Sequence, residues 1–253
     1  MNSEHALREA ICEVGRRLWH KNFTAATDGN ISVRLSSETF LCTPSGVSKG
    51  FMAPADLVIA DASGRKVAGE GAVTSEFWTH LAAYEERPDV YAVVHAHPPK
   101  AVAASLAGVS LAEPVLPELL LTVGGIPTVP YATPATREGG AAIREIIRSC
   151  DALIIARHGS LTVGRDVFDA YYKLEKLEHA AIGRIGKWME PVLRPLGFDW
   201  RVGTALVGAF AAKEVFVAQM GIVFSLGRAD EESDSLRQTL RQNYTPLQGL
   251  AMM

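Results

Sequence analysis

Val93-Val94-His95-Ala96-His97 is the stretch that decides the fold. Residues 91–95 read as a strand, followed by an alanine-rich helix near 99–107. Residues i and i+2 of a strand project from the same face, so both imidazoles point one way. Two same-face histidines at a strand end can hold one divalent metal. Zinc is the usual choice for imidazole, and a catalytic site needs a third protein ligand plus an open position. The plainer alternative is a pair of surface or hydrogen-bonded histidines.

Further along, Ile155-Ala156-Arg157-His158-Gly159 again closes an apolar strand (152–156) with a histidine before glycine. Upstream, Ser75 is the predicted N-cap of a helix over 76–86 that stops at Arg87-Pro88, because a residue before proline avoids the α region. Glu76 then opens that helix as a candidate metal ligand or general base. His80, one turn later, reads as a packing or hydrogen-bonding group rather than a ligand. Around this centre, periodicity predicts a helix over 4–20 with Ala6, Ile11, Val14 and Leu18 on its apolar face. It predicts strands at 31–35, 40–43, 57–60 and 126–129, a helix at 138–149 and an extended run at 158–163. A last helix over 166–185 places Val167, Ala170, Tyr171, Leu174, Leu177 and Ala181 on one face. Several strands follow one another with only turns between them, so a mixed α/β sandwich fits better than a doubly wound parallel sheet.

Three small turns suit an anion: Asp28-Gly29-Asn30, Thr43-Pro44-Ser45-Gly46 and Thr74-Ser75 at a helix start. Taken singly, each reads as a plain turn. Composition narrows the field. In 253 residues, 48% are hydrophobic and 21% charged, which excludes a disordered chain. The 25 Lys+Arg against 28 Asp+Glu exclude the basic footprint of a nucleic-acid binder. Cys12, Cys42 and Cys150 have neither zinc-knuckle nor redox spacing and read as reduced core thiols of a cytoplasmic protein. The charged, helical N-terminus lacks the grammar of a signal peptide, which makes Asn30-Ile31-Ser32 a chance sequon.

Taken together, DGNISVR (28–34), TPSGV (43–47), TSE (74–76), VVHAH (93–97), PYATPATRE (130–138) and ARHGSL (157–161) resemble the class II aldolase/adducin family, and within it the fuculose-phosphate aldolases. The resemblance implies a three-layer αβα domain over 1–185 with a mixed, mainly antiparallel central sheet. It implies that His95, His97 and His158 bind zinc or another divalent metal, and that Glu76 shuttles a proton with its pKa raised towards neutrality. Gly29, Asn30, Ser45, Gly46, Thr74 and Ser75 match the family's phosphate loops, with Thr74 replacing a serine. The implied reaction is retro-aldol cleavage of a small ketose phosphate, of the fuculose or ribulose 1-phosphate type, by a homotetramer. Two departures bear on this. Glutamate at position 76 favours an aldolase over the related epimerases, which carry aspartate there. At Leu116-Pro117-Glu118-Leu119, where the fuculose-type enzyme has a catalytic tyrosine, Glu118 is a candidate acid/base for a dehydration or decarboxylation, or else a salt-bridged surface glutamate. A non-catalytic adducin-like module is the remaining alternative.

From about residue 183 the character changes. Two uncharged runs, 202–212 and 215–227, are separated by Lys213-Glu214, and each falls short of the roughly 20 apolar residues that span a bilayer. PLGFDWRVGTALVGAFAAKEVFVAQMGIVFSLG (195–227) and YTPLQGLAMM (244–253) resemble part of the membrane region of ferrous-iron transport protein B. The resemblance implies a helical appendage over 186–253, joined by fusion, that replaces the family's usual cover over the active site. An apolar tail of this size also predicts association with membrane, partner or itself.

Overall fold

The histidine strand, β5 (Ala92–Ala96), is paired on both sides. In a computed structural model, which describes residues 3–113, 117–208, 220, 222–224, 234–245 and 248, it belongs to an eight-stranded sheet. The other strands are β1 (Asn30–Arg34), β2 (Thr39–Cys42), β3 (Val58–Asp61), β4 (Lys66–Ala68), β6 (Thr128–Val129), β7 (Ala152–Ile155) and β8 (Gly159–Gly164). Their order is β4-β3-β2-β1-β5-β8-β7-β6, antiparallel throughout except for the β6–β7 pair. The expected mixed, mainly antiparallel sheet is what the chain forms.

Alternation along β5 separates two apolar layers. Ala92, Val94 and Ala96 join the cluster built on α1 (Glu4–His20) and α6 (Val167–Leu193). Val93 joins the opposite cluster, built on α2 (Phe77–Glu86) and α5 (Arg137–Ile147). Each fully buried Val, Leu or Ile contributes about 1.5–3 kcal/mol, so both faces of this strand favour the same register. The predicted face of α1 holds at Ile11, Val14 and Leu18, but Ala6 is exposed, and Leu7 and Ala10 pack there instead. In α6 all six predicted face residues are buried, and the helix runs to Leu193 rather than stopping near 185.

Two contacts fix the remaining helices. The short helix α3 (Pro99–Leu106) begins at Pro98-Pro99 with no side-chain cap of its own. Glu178 of α6, almost fully buried, accepts from the N–H groups of Lys100 at 3.1 Å and Ala101 at 3.0 Å. A carboxylate there satisfies two orphan donors and complements the helix dipole. Helices α2 and α5 approach so closely that a Cβ on Gly140 would lie 2.6 Å from the Trp78 carbonyl oxygen. A fourth short helix, α4, spans Pro117–Thr122.

The chain forms two compact units, residues 1–178 and 179–253. The second contains α7 (Trp200–Gly208) and α8 (Asp234–Asn243), and its apolar cluster includes Leu193, Phe198, Val202, Ala205, Met220 and Leu236. Asp199 receives the Tyr244 hydroxyl at 2.9 Å and the Arg201 N–H at 3.0 Å. Among the described residues no helix is long and apolar enough to cross a membrane. Most of the predicted apolar run 215–227 lies outside the described residues.

The close approach at Gly140 sets a sharp test. Gly140→Ala is expected to lower stability by about 1–3 kcal/mol through overpacking. Gly139→Ala, whose nearest neighbour stands at 3.4 Å, leaves stability unchanged or higher. Urea midpoints of the two variants check the contrast.

Candidate metal centre

Sheet register assembles the site. Asn30 on β1 lies directly opposite His95 on β5, so the two side chains share a face of the sheet. His97 stands one residue beyond β5, held by its N–H to the Phe23 carbonyl at 2.8 Å. The β7–β8 connection turns tightly: Arg157 adopts φ 58°, and the His158 N–H donates to the Ile155 carbonyl at 3.1 Å. That turn brings His158 to the other two histidines. One nitrogen from each ring lies within 4.8 Å of the others. Gly159 makes room for them, since a Cβ there would stand 2.5 Å from His97 Cδ2 and 3.0 Å from His95 Cε1.

The protonation of His95 follows from its partners. Its Nδ1 is 2.8 Å from the Ser160 carbonyl oxygen, which can only accept, so Nδ1 carries the proton. Its Nε2 lies 3.1 Å from His97 Nε2 and 3.0 Å from Glu76 Oε2. Burial and then the neighbouring His95 and His158 bring His97 down to about 4, and burial with His95 lowers His158 as well. Imidazoles converging beside a carboxylate suit a divalent cation, and the Nδ1–H to carbonyl bond is the usual orienting contact of a metal-bound histidine. His95, His97 and His158 could therefore hold a metal.

Glu76 departs from expectation twice. The helix is capped at Glu76 itself, not at Ser75, and no side chain caps it. The Glu76 carboxylate is engaged elsewhere: Oε2 accepts from Asn30 Nδ2 at 2.9 Å, and Oε1 lies 3.3 Å from His158 Nε2. Its pKa is not raised towards neutrality. Burial pushes it up, but His95, Asn30 and His158 together hold it below the ordinary carboxylate range.

Behind Glu76 runs a chain of hydrogen bonds with a single direction. Asn30 donates to the carboxylate, so its Oδ1 faces His80 Nε2, which must carry a proton to bond it. His80 is fully buried, and desolvation brings it to about 3, so the ring is neutral and Nδ1 accepts. Ser32 Oγ donates to Nδ1 at 2.7 Å and in turn accepts from the Tyr84 hydroxyl at 2.8 Å. The expected hydrogen-bonding role of His80 thus has a definite form: it fixes which way the Asn30 amide points.

A cavity of about 260 Å³ opens beside Glu76, His97 and His158. All six residues matched to phosphate loops line it: Gly29, Asn30, Ser45, Gly46, Thr74 and Ser75. Gly29 needs its glycine, with φ 71° and the His95 carbonyl 2.9 Å from where a Cβ would sit. Residues 9–182 match the family described as class II aldolase and adducin N-terminal domain. The chain belongs to this family. A 3-oxo-tetronate 4-phosphate decarboxylase of Cupriavidus necator is 33% identical over 185 residues, covering 72% of this chain and 84% of that protein. The crystal structure of L-fuculose-1-phosphate aldolase from Thermus thermophilus matches with a TM-score of 0.62 at 33% identity, covering 69% of this chain and 90% of that one. A separate match, 41% identical over 93 residues, is to the Fe(2+) transporter FeoB of Leptospira biflexa. It takes in 34% of this chain but only 14% of the transporter's length.

Glu118 falls on α4, and its side chain lies outside the described residues. One residue went unnoticed in the sequence: Lys49, which lines the cavity although it is only 2% exposed. Its only signal was its place two residues after the TPSGV turn, and lysines are rarely buried.

Both buried groups yield tests. His80→Ala leaves Asn30 and Ser32 without their partner and opens a cavity, so it is expected to lower stability by about 2–5 kcal/mol in urea denaturation. Desolvation brings Lys49 from 10.5 to about 8. Between those values the unfolded chain binds more protons than the folded one, so stability rises with pH. From pH 8 to 10 wild type is expected to gain about 2 kcal/mol relative to Lys49→Gln, read from urea midpoints at the two pH values.

Proposed function

We propose that the protein is a divalent-metal-dependent carbon–carbon lyase acting on a small phosphorylated sugar derivative. The primary reading is cleavage of a ketose 1-phosphate, of the fuculose or ribulose type, to dihydroxyacetone phosphate and an aldehyde. The observation that carries it is Glu76, in contact with two converging histidines, on the wall of a cavity rimmed by three anion-friendly turns. His95, His97 and His158 would hold the metal, with zinc the first choice for three imidazoles and other divalent ions accommodated by the same ligands. When bound, the metal supplies a Lewis acid that polarises substrate oxygens and stabilises negative charge.

The remaining work falls to the chain's own groups. N–H and hydroxyl groups of Gly29, Asn30, Ser45, Gly46, Thr74 and Ser75 hold the phosphate and so set how far the rest of the substrate reaches. Cleaving the bond between C3 and C4 requires a proton to leave the C4 hydroxyl and a proton to arrive at C3. Glu76, aimed by Asn30 and backed by His80, is the carboxylate placed to accept the first and return one to carbon. The reading takes the enzyme to be a cytoplasmic homotetramer. It confines the chemistry to 1–185 and treats 186–253 as an appendage without an iron-transport role, whose membrane association is to be tested by the solubility of the full chain.

A second reading has its own support in the decarboxylase relative, whose identity equals that of the aldolase structure. Decarboxylation of a phosphorylated 3-oxo acid also leaves negative charge beside a carbonyl, so it would use the same metal ligands and phosphate turns. Only the leaving group differs, and Glu118 would be its candidate acid.

Metal analysis and product identification test these readings. The paired change His95→Ala with His97→Ala is expected to reduce bound zinc to background, and equal zinc in both proteins overturns the metal site. Metal-loaded wild type is then offered ketose 1-phosphates and a 3-oxo-tetronate 4-phosphate. Dihydroxyacetone phosphate together with an aldehyde from a ketose 1-phosphate supports the aldolase; carbon dioxide from the 3-oxo-tetronate 4-phosphate, which leaves the same triose phosphate without an aldehyde, supports the decarboxylase; and no cleavage of any substrate overturns the lyase reading.

A further inference from the structure

Lys49 is the only lysine or arginine among the described residues lining the cavity. Its ammonium donates to the carbonyl oxygens of Thr27 at 2.9 Å and Val47 at 2.5 Å. Thr27 leads into the Asp28-Gly29-Asn30 turn, and Val47 closes the turn that begins at Thr43. One buried group therefore ties two of the three phosphate turns together. Two carbonyl bonds satisfy two of its three N–H groups but leave its charge uncompensated. Among the described residues no carboxylate forms an ion pair with it, and Asp28 acts on it only through longer-range attraction. A buried, unpaired ammonium is among the most unfavourable side-chain environments, and it persists where something else provides the opposite charge.

The charges lining the cavity say what that something is. Asp28 and Glu76 also line it, and both carboxylates repel an entering anion. A metal on the histidines would answer Glu76 at that end of the cavity, but the phosphate turns offer only neutral N–H and hydroxyl donors. We propose that Lys49 supplies the counter-charge for the phosphate monoester of the substrate, while its two carbonyl bonds hold the flanking turns around that group. This rests on the sugar-phosphate reading and adds to it a single charged residue that makes the cavity selective for a phosphorylated ligand.

Lys49→Gln removes the charge while keeping two N–H donors at the end of a side chain one bond shorter. Calorimetric titration of the full-length protein with inorganic phosphate is compared between wild type and this variant, with circular dichroism reporting the fold. The variant is expected to bind phosphate at least about tenfold more weakly. Equal affinity overturns the role of Lys49 and leaves the sugar-phosphate reading standing. No phosphate binding by wild type overturns the phosphate cavity itself. A measurement on unaltered protein covers a variant that fails to fold: with nitrogen-15-labelled lysine, saturating phosphate is expected to shift the Lys49 Nζ resonance, and an unmoved resonance overturns the proposal.

Discussion

Pairing of β5 with β1 on one side and β8 on the other sets Asn30, His95 and Leu161 in one row across the sheet. Everything at the site hangs from that row. Because directly opposed residues share a face, Asn30 and His95 both turn towards α2, where Glu76 meets them. The apolar residues of β5 pack into both layers and resist a slip of even one position. A register chosen by valine and alanine burial thus fixes the spacing of an imidazole, a carboxamide and a carboxylate.

The polar groups behind Glu76 show how such a site is kept rigid inside a core. Tyr84, Ser32, His80 and Asn30 each have one permissible donor direction once the carboxylate is taken as an acceptor. Fully satisfied buried chains of this sort specify a single arrangement, whereas a gap in them is strongly destabilising. At its far end the chain reaches Tyr84, which stacks on Phe40 with ring centroids 4.8 Å apart. Aromatic packing and carboxylate aim are therefore parts of one arrangement.

Much of this was legible in the sequence, and the exceptions share a cause. The strand-end histidines and the glycine turns followed from local rules of periodicity and backbone conformation. Ser75 failed as a cap because Glu76 finds partners on β1, β5 and the β7–β8 turn, which no helix-start rule can see. The expected upward pKa of Glu76 failed likewise, because burial was outweighed by side chains 19 and 82 positions away in sequence, at His95 and His158. Lys49 was hidden by its residue type, since its burial depends on two carbonyls brought together by tertiary structure. Ala6 and the far end of α6 were misplaced because helical periodicity says which face is apolar but not where tertiary packing begins or ends.

Glu178 closes the first unit at its last residue, and its carboxylate is the cap of α3. The segment that follows the second of the three converging histidines is therefore anchored by an amino acid at the very edge of the domain. In genetic terms this marks a limit on recombination: a splice point after position 178 keeps the cap of α3, whereas one a single helical turn earlier removes it. The match to the family ends at residue 182, a few residues beyond that limit.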